Sequence, residues 1–324
     1  MSRPLAILLG LALLLAGLAA ALLTGPAAIG AADALAGLLG TADAATTAII
    51  REVRLPRALG ALLIGSGLGA SGAALQGFTR NDLAAPGLLG FSACAAFGAV
   101  IALYFGQSWA VMPGALLGAG VGATATALMA RRQVGAAGLI LAGIGIGALA
   151  TALTGLAMNL APNPWALSEL TYWLMGSLEA VDVPKLAVAA PLTGLGLLAL
   201  WRAGPHLRAL SLGEDTAASL GVSIARTQGL IILGTALCIG AGVALAGAIG
   251  FVGLFIPHIM RRLTDADPAR LIGRSAVAGG LFLLATDVAA RLTSGPGTPL
   301  YLGIVTSLIG VPFFLYLALR RTPS

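Results

Sequence analysis

The residues that could carry chemistry are few in this sequence, and their spacing does not indicate a catalytic site. The two histidines, His206 and His258, and the two cysteines, Cys94 and Cys238, lack the spacing of a metal site or of a nucleophile with its base. A P-loop that binds ATP needs a lysine followed by serine or threonine, whereas the only lysine, Lys185, lies outside any such motif. We therefore expect no catalytic residue, no bound metal and no cofactor on this chain. If ATP drives its function, ATP and Mg²⁺ bind to another subunit.

Asp287 is a carboxylate embedded in an apolar run. Arg291 follows four residues later, so the two side chains share a helix face. We interpret them as a structural ion pair within the membrane, with a proton relay as the alternative. A proton-coupled carrier usually has more ionisable groups in its membrane segments. The sequence therefore favours the structural interpretation without excluding such a carrier.

A polar stretch from Trp201 to Gly229 interrupts a chain that is otherwise mostly apolar. Its centre predicts a short amphipathic helix with a glycine break, two acidic residues in the first turn, an apolar pair on one face and a terminal glycine. These residues are Gly213, Glu214, Asp215, Ala217, Leu220 and Gly221. We interpret the stretch as a docking surface for a soluble partner, and an ordinary structured loop is the alternative.

The composition places these features in a membrane protein. Of the 324 residues, 58% are hydrophobic and 9% are charged, whereas soluble domains have roughly 25% charged residues. The 46 glycines suit close helix packing in lipid. The net charge of +6 does not indicate nucleic-acid binding, because most arginines stand at the ends of apolar runs on one side, as expected for cytoplasmic loops.

The apolar runs predict one all-α membrane domain over residues 1–324, with ten transmembrane helices and both termini in the cytoplasm. A spanning helix needs about 20 apolar residues. The first run, Leu5 to Leu23, could alternatively be a signal peptide. Residues 24–50 are expected to form an outer loop, and Trp165 to Leu178 an interfacial helix. Phe251 to Met260 is too short to span and contains Pro257, which is expected to break it.

Several segments together resemble the FecCD family, the permease subunits of binding-protein-dependent ABC importers for iron chelates, haem and vitamin B12. The similar segments are RLPR (Arg54 to Arg57), SGAALQGFTRNDLAAPGLLG (Ser71 to Gly90), YWLMGSL (Tyr172 to Leu178), LGEDTAASLGV (Leu212 to Val222), VALAGAIGFVGLFIPHIMR (Val243 to Arg261) and GIVTSLIGVPFFLYL (Gly303 to Leu317). They cover nearly the whole chain in the family's order.

The resemblance implies a type II ABC importer in a bacterial inner membrane. Its parts would be two copies of this permease, two cytoplasmic ATPase subunits that hold ATP and Mg²⁺, and an extracytoplasmic binding protein. It also implies that helices five and ten line the pathway and that the stretch at 201–229 is the coupling loop. The coupling role would belong to Gly213, Glu214, Asp215, Leu220 and Gly221.

On the outer face, the resemblance implies that Arg54 and Arg291 bind acidic residues of the binding protein, with Arg57 a weaker match. One departure concerns the segment Pro296 to Tyr301, which lacks the acidic residue that the family often has before the last helix. The expected cargo is a ferric siderophore, with haem or cobalamin as alternatives. A proton-driven carrier and a membrane scaffold remain as rival classes.

Overall fold

The structure is a computed structural model that describes residues 3–131, 135–265, 267–294 and 300–320, except the side chains of residues 3–7, 316–318 and 320. The described chain is helical and contains no β-strand. The helices are α1 (Arg3–Leu23), α2 (Ala31–Leu39), α3 (Ala44–Ala48), α4 (Leu55–Thr79), α5 (Phe91–Tyr104), α6 (Val111–Ala130), α7 (Ala136–Asn159), α8 (Pro164–Leu174), α9 (Val183–Leu210), α10 (Glu214–Ser219), α11 (Ile224–Ala246), α12 (Val252–Arg261), α13 (Pro268–Thr293) and α14 (Leu302–Arg320). A π-helical turn at Ile49–Arg54 and 3-10 turns at Pro86–Leu89 and Ser108–Ala110 complete the regular structure.

Six helical segments of the described chain are long and apolar enough to cross a membrane: Ala44–Thr79, Ser108–Ala130, Ala136–Asn159, Val183–Leu210, Ile224–Ala246 and Pro268–Thr293. Four shorter apolar helices, Leu8–Leu23, Phe91–Tyr104, Val252–Arg261 and Leu302–Leu315, accompany them. The all-helical membrane class is therefore confirmed. Ten crossings and the cytoplasmic location of both termini stay predictions.

The outer segment at residues 24–50 is not the loop that the sequence suggested. It contains α2 and α3, and the π-helical turn runs from α3 directly into α4. Gly40, at φ 77°, ends α2, and the Asp43 carboxylate caps α3 by accepting a hydrogen bond from the Thr46 amide. These are local start and stop signals for helices, and they place Arg51 and Arg54 on a helix.

The predicted polar stretch is shorter than residues 201–229. Residues 201–210 continue α9, and residues 224–229 begin α11 after a cap by Ser223. Ala203, Leu207 and Leu210 are buried at helical spacing, so α9 continues past the apolar core with its polar side chains on the opposite face. Only residues 211–223, with α10 inside them, lie between the two long helices.

Helices α4 and α11 are the most buried long helices, whereas α6, α7 and α9 present large exposed faces. Glycines allow α4 to approach α13 very closely. A Cβ added at Gly65 would lie 2.2 Å from the Gly279 carbonyl oxygen, and one at Gly69 would lie 2.1 Å from that of Ser275. Because no side chain fits there, α4 and α13 form a tight pair.

Helix α12 is short, as predicted, but Pro257 does not break it. The helix starts after Phe251, whose φ is 64°, and runs through Pro257 to Arg261. Proline removes one backbone donor and costs stability in a helix interior. Here Pro257 is itself buried among the surrounding helices, and this packing compensates for the missing hydrogen bond.

Candidate functional site

Helix α10 presents the residues expected to meet a soluble partner. Gly213 precedes it at φ 113° and Gly221 follows it at φ 77°, conformations that side-chain-bearing residues rarely adopt. Glu214 and Asp215 lie in its first turn and are exposed. Leu220 is 62% exposed, which leaves an apolar side chain free to bind another surface.

Ala217 and Leu220 do not share one face of α10, as the sequence spacing suggested. Ala217 is fully buried, whereas Leu220 lies one residue beyond the end of the helix and is largely exposed. Their three-residue spacing implies one face only if the helix continues. The buried Ala217 fastens α10 to the bundle, and Leu220 points away from it.

Two arginines tie the end of α9, just before α10, to the bundle. Arg80 Nη2 donates a hydrogen bond to the Leu210 carbonyl at 2.7 Å. Arg208 donates to both carboxylate oxygens of Asp267, with Nε and Nη2 distances of 3.1 and 2.7 Å. Arg80 follows α4 and Asp267 caps α13, so both members of the tight pair contact the segment that carries α10.

The Arg208–Asp267 contact has the planar two-bond geometry that makes arginine–carboxylate pairs strong. Partial burial acts to raise the pKa of Asp267, but hydrogen bonds from Arg208 and from the Ala269 amide outweigh it, and the pKa lies below its usual value. The carboxylate is therefore charged at neutral pH.

A buried glutamine links α4 to α12. Gln76 is 1% exposed, and its Nε2 donates to the Leu254 carbonyl at 3.1 Å. Its Oε1 accepts from Arg261 Nη2 at 3.0 Å, and Arg261 also lies 2.9 Å from Asp82. Sequence reasoning missed Gln76, Asp82 and Arg261 as a connected set. The available signal was a glutamine inside an apolar helix, a few residues before Arg80.

Asp287 is fully buried and contacts two arginines at the opposite end of the bundle. Arg291 Nε lies 3.0 Å from one carboxylate oxygen, and Arg57 Nε lies 2.9 Å from the other. Sequence spacing indicated Arg291 as a partner. It could not indicate Arg57, which is 230 residues away in the chain.

The side chains of the arginines predicted to dock the binding protein point into this subunit. Arg54 is 4% exposed and donates to the carbonyls of Leu22 and Ala27, and Arg291 donates to those of Ala21 and Thr24 at 3.0 and 2.7 Å. The carbonyls of Ala21, Leu22 and Thr24 lie at the end of α1, where a helix lacks internal donors, and that of Ala27 lies in the segment after it. In this conformation the guanidinium groups of Arg54 and Arg291 are occupied within the subunit, and their docking of the binding protein stays a prediction.

One groove lies along α14, and a second includes the residue just before it. The first has a volume of about 580 Å³ and a mostly apolar lining. We call it the α14 groove, and its lining includes Leu174, Met175, Gly303, Ile304, Leu308 and Val311. The second has a volume of about 910 Å³ and lies at the end of the bundle where α8 packs. We call it the mouth groove, and it includes Tyr104, Trp165, Glu169, Tyr172, Glu179 and Tyr301.

The sequence profile of the FecCD transport family matches residues 13–320. This chain belongs to the FecCD transport family. The FecCD chain is therefore the permease of an ABC importer, and ATP hydrolysis belongs to a partner ATPase. Family membership excludes the proton-driven carrier and the scaffold that the sequence had left open, and it implies a dimeric permease that works with a substrate-binding protein.

Known proteins resemble this FecCD chain over most of their length. The vitamin B12 import system permease protein BtuC of Salmonella typhi and that of Citrobacter koseri are each 36% identical over 273 residues, which is 83% of this chain and 83% and 82% of theirs. A solved metal-chelate type ABC transporter in an inward-facing conformation is 30% identical, with a TM-score of 0.88 over 98% of this chain and 100% of that chain.

Proposed function

We propose that this chain forms one half of a homodimeric permease that moves a metal chelate inward across a bacterial inner membrane. The observation that carries the proposal is the match over 98% and 100% of the two chains to a metal-chelate type transporter. Two cytoplasmic ATPase subunits supply the energy, and an extracytoplasmic binding protein delivers the cargo. The apolar α14 groove suits a bulky cargo that is passed along rather than held.

The proposed topology has ten crossings with both termini inside. The six long and four shorter apolar helices of the described chain supply the ten segments. In this arrangement, α10 lies in the cytoplasm, and the mouth groove and the Asp287 cluster lie on the outer side. The excess of arginines at the cytoplasmic ends supports it.

The proposed coupling surface consists of Gly213, Glu214, Asp215, Leu220 and Gly221. The two glycines allow sharp turns on both sides of α10, so the helix stands as a separate element. Arg80 and Arg208 pass its displacement to α4 and α13.

Docking of the binding protein remains a proposal for Arg54, Arg57 and Arg291. In this conformation, their guanidinium groups bind the Asp287 carboxylate and backbone carbonyls at the end of α1. Acidic residues of a binding protein can reach Arg54 and Arg291 only if the segment after α1, including Thr24 and Ala27, moves aside.

The cargo is proposed to be cobalamin or a ferric siderophore. The two relatives described above are vitamin B12 permeases. This favours cobalamin, the alternative cargo, over the ferric siderophore expected from the sequence. At 36% identity to these relatives, a permease of the same fold can transport either cobalamin or a ferric siderophore. Haem is the third candidate, because the resemblance includes haem importers.

The proposed function is tested by uptake into proteoliposomes that contain this permease, its ATPase and its binding protein. We expect ATP-dependent uptake of cobalamin, of a ferric siderophore or of haem, and we expect an uncoupler to leave it intact. A catalytically inactive ATPase partner is the control. Uptake that needs a proton gradient, or no uptake of any chelate, contradicts the proposal.

Leu220→Asp should weaken the coupling surface. A carboxylate in place of an exposed apolar contact has to be desolvated when the ATPase binds, so we expect co-purification and stimulated ATPase activity to fall. Leu35→Asp is the matched control, because Leu35 is 60% exposed on α2, at the outer end. An intact Leu220→Asp complex with normal uptake would remove Leu220 from the coupling role.

A further inference from the structure

The mouth groove concentrates aromatic side chains in a chain that has few of them. Only 5% of the residues are aromatic, yet three of the four tyrosines and two of the four tryptophans line this groove. Aromatic residues at a membrane interface often serve only as anchors. That role does not require a concave surface of about 910 Å³.

Two tyrosines form a fixed flat platform in the groove. Tyr172 of α8 and Tyr301, just before α14, stack with their ring centroids 5.9 Å apart and their planes 9° from parallel. Tyr172 remains 54% exposed and Trp165 is 86% exposed. The stack therefore holds its orientation and still presents aromatic surface to a ligand.

Two carboxylates give the groove a negative charge. Glu169 and Glu179 line it, are exposed, and form no ion pair within the described part of the chain. The nearby Lys185 is engaged by Asp182 at 3.0 Å. Partial burial, then Tyr172 and then the Glu179 carboxylate raise the pKa of the Tyr301 phenol, and these three residues line the same groove.

The mouth groove and the α14 groove are lined by residues that are neighbours in the chain. Trp173 and Tyr301 line the first, and the chain continues from them into Leu174 and Gly303, which line the second. A ligand bound at the mouth is thus next to the apolar surface along which the cargo is proposed to travel.

We propose that the mouth groove is an outer subsite for neutral or cationic metal chelates with amide or amine N–H donors at their periphery, and that it disfavours anionic chelates. This inference rests on the proposed function. Ionised carboxylates only accept hydrogen bonds, so they match N–H donors and repel anions. The aromatic faces attract flat or cationic groups. The subsite therefore narrows the set of candidate cargoes to amide-bearing corrinoids or uncharged iron chelates.

The test uses the complete permease–ATPase complex in nanodiscs without the binding protein, so that the selectivity of the binding protein is absent. Two probe pairs differ in charge at similar shape. One pair is cyanocobalamin and the same corrinoid with rim amides hydrolysed to carboxylates. The other is a neutral ferric trihydroxamate and an anionic ferric tris-catecholate. Equilibrium dialysis measures the binding of each.

We expect the neutral member of at least one pair to bind about ten-fold or more tightly than its anionic counterpart. Glu169→Gln combined with Glu179→Gln should bring the two affinities close together, and Tyr172→Leu should weaken both members alike. Glu52→Gln is the control, since Glu52 is an exposed carboxylate on the turn before α4, and it should leave the preference unchanged.

Equal binding within each pair, or a preference that persists in the double glutamine variant, would overturn the inference. So would an absence of binding by all four probes to a complex that transports one of them once the binding protein is added. If the full system transports none of them, the proposed function itself fails, and the inference falls with it.

Discussion

At the scale of single residues, Asp287 is the centre of a buried cluster of charged side chains. It is fully buried, and Arg57 and Arg291 lie within 3.0 Å of its two oxygens. Its single negative charge offsets one of the two positive charges of guanidinium groups that are themselves mostly buried. Arg291 also holds the end of α1, so the same ion cluster joins α1, α4 and α13.

Asp287→Asn should destabilise the protein strongly, because it leaves buried arginines without a counter-charge. Removing one partner of a buried ion pair costs about 3–5 kcal/mol. Asp182→Asn is the control: Asp182 pairs with Lys185 at the surface, asparagine keeps the helix cap, and exposed pairs contribute about 0–1 kcal/mol. Thermal unfolding in detergent compares the two. Equal melting temperatures would show that the cluster does not stabilise the fold.

At the scale of helices, the end of α9 is the junction between the coupling surface and the bundle. Arg80 reaches it from α4 and Arg208 connects it to α13 through Asp267. Since α4 and α13 touch through glycines, they can move as one body. A shift of α10 would therefore move this pair rather than a single helix.

Arg80→Gln together with Arg208→Gln should uncouple ATP hydrolysis from transport. Each substitution removes a hydrogen bond that involves a charged group, in one case from Arg80 to the Leu210 carbonyl and in the other from Arg208 to the Asp267 carboxylate. Such bonds are worth about 1.5–3 kcal/mol, so we expect uptake per ATP to fall by about ten-fold. Basal ATPase activity should remain. Arg202→Gln is the control, because Arg202 is exposed on the same helix and has no ion pair within the described residues. Normal uptake by the double variant would remove both arginines from the transmission of movement.

At the scale of the whole molecule, the arrangement of exposed apolar helices suits a membrane on the outside and a second copy of the chain beside it. Helices α6, α7 and α9 expose apolar side chains such as Leu117, Leu141 and Leu195. A soluble monomer rarely exposes large apolar patches. The proposed topology places α10 and the mouth groove on opposite sides of that membrane.

Introduced cysteines test this topology. The native Cys94 and Cys238 are free and buried, so the background labelling of the wild-type protein should be low. Ser211→Cys should react with a membrane-impermeant maleimide only when the cytoplasmic side is open, and Glu52→Cys only from the outer side, because both positions are exposed at opposite ends of the bundle. Labelling of both from the same side would contradict the orientation.

The helical membrane class and the short helix α10 could be predicted because both depend on neighbouring residues. Long apolar runs dictate helices in lipid, where every backbone group needs an internal partner. Gly213 and Gly221 bracket α10 because their backbone conformations favour glycine. The bounds of α9 were less predictable, since whether the helix continues past Trp201 depends on what buries Ala203 and Leu207.

The sequence by itself determined an all-helical membrane protein, the family resemblance and the position of α10, because hydrophobic length and local backbone preference act over a few residues. Only the tertiary structure decided that Arg57 joins Asp287, that Arg54 and Arg291 hold α1, and that Tyr172 stacks on Tyr301. Each of these contacts joins residues that are distant in the chain, or shows which of several possible partners a side chain binds. The physical reason is packing: the contacts exist because whole helices come together, and no local pattern encodes the position of the second helix.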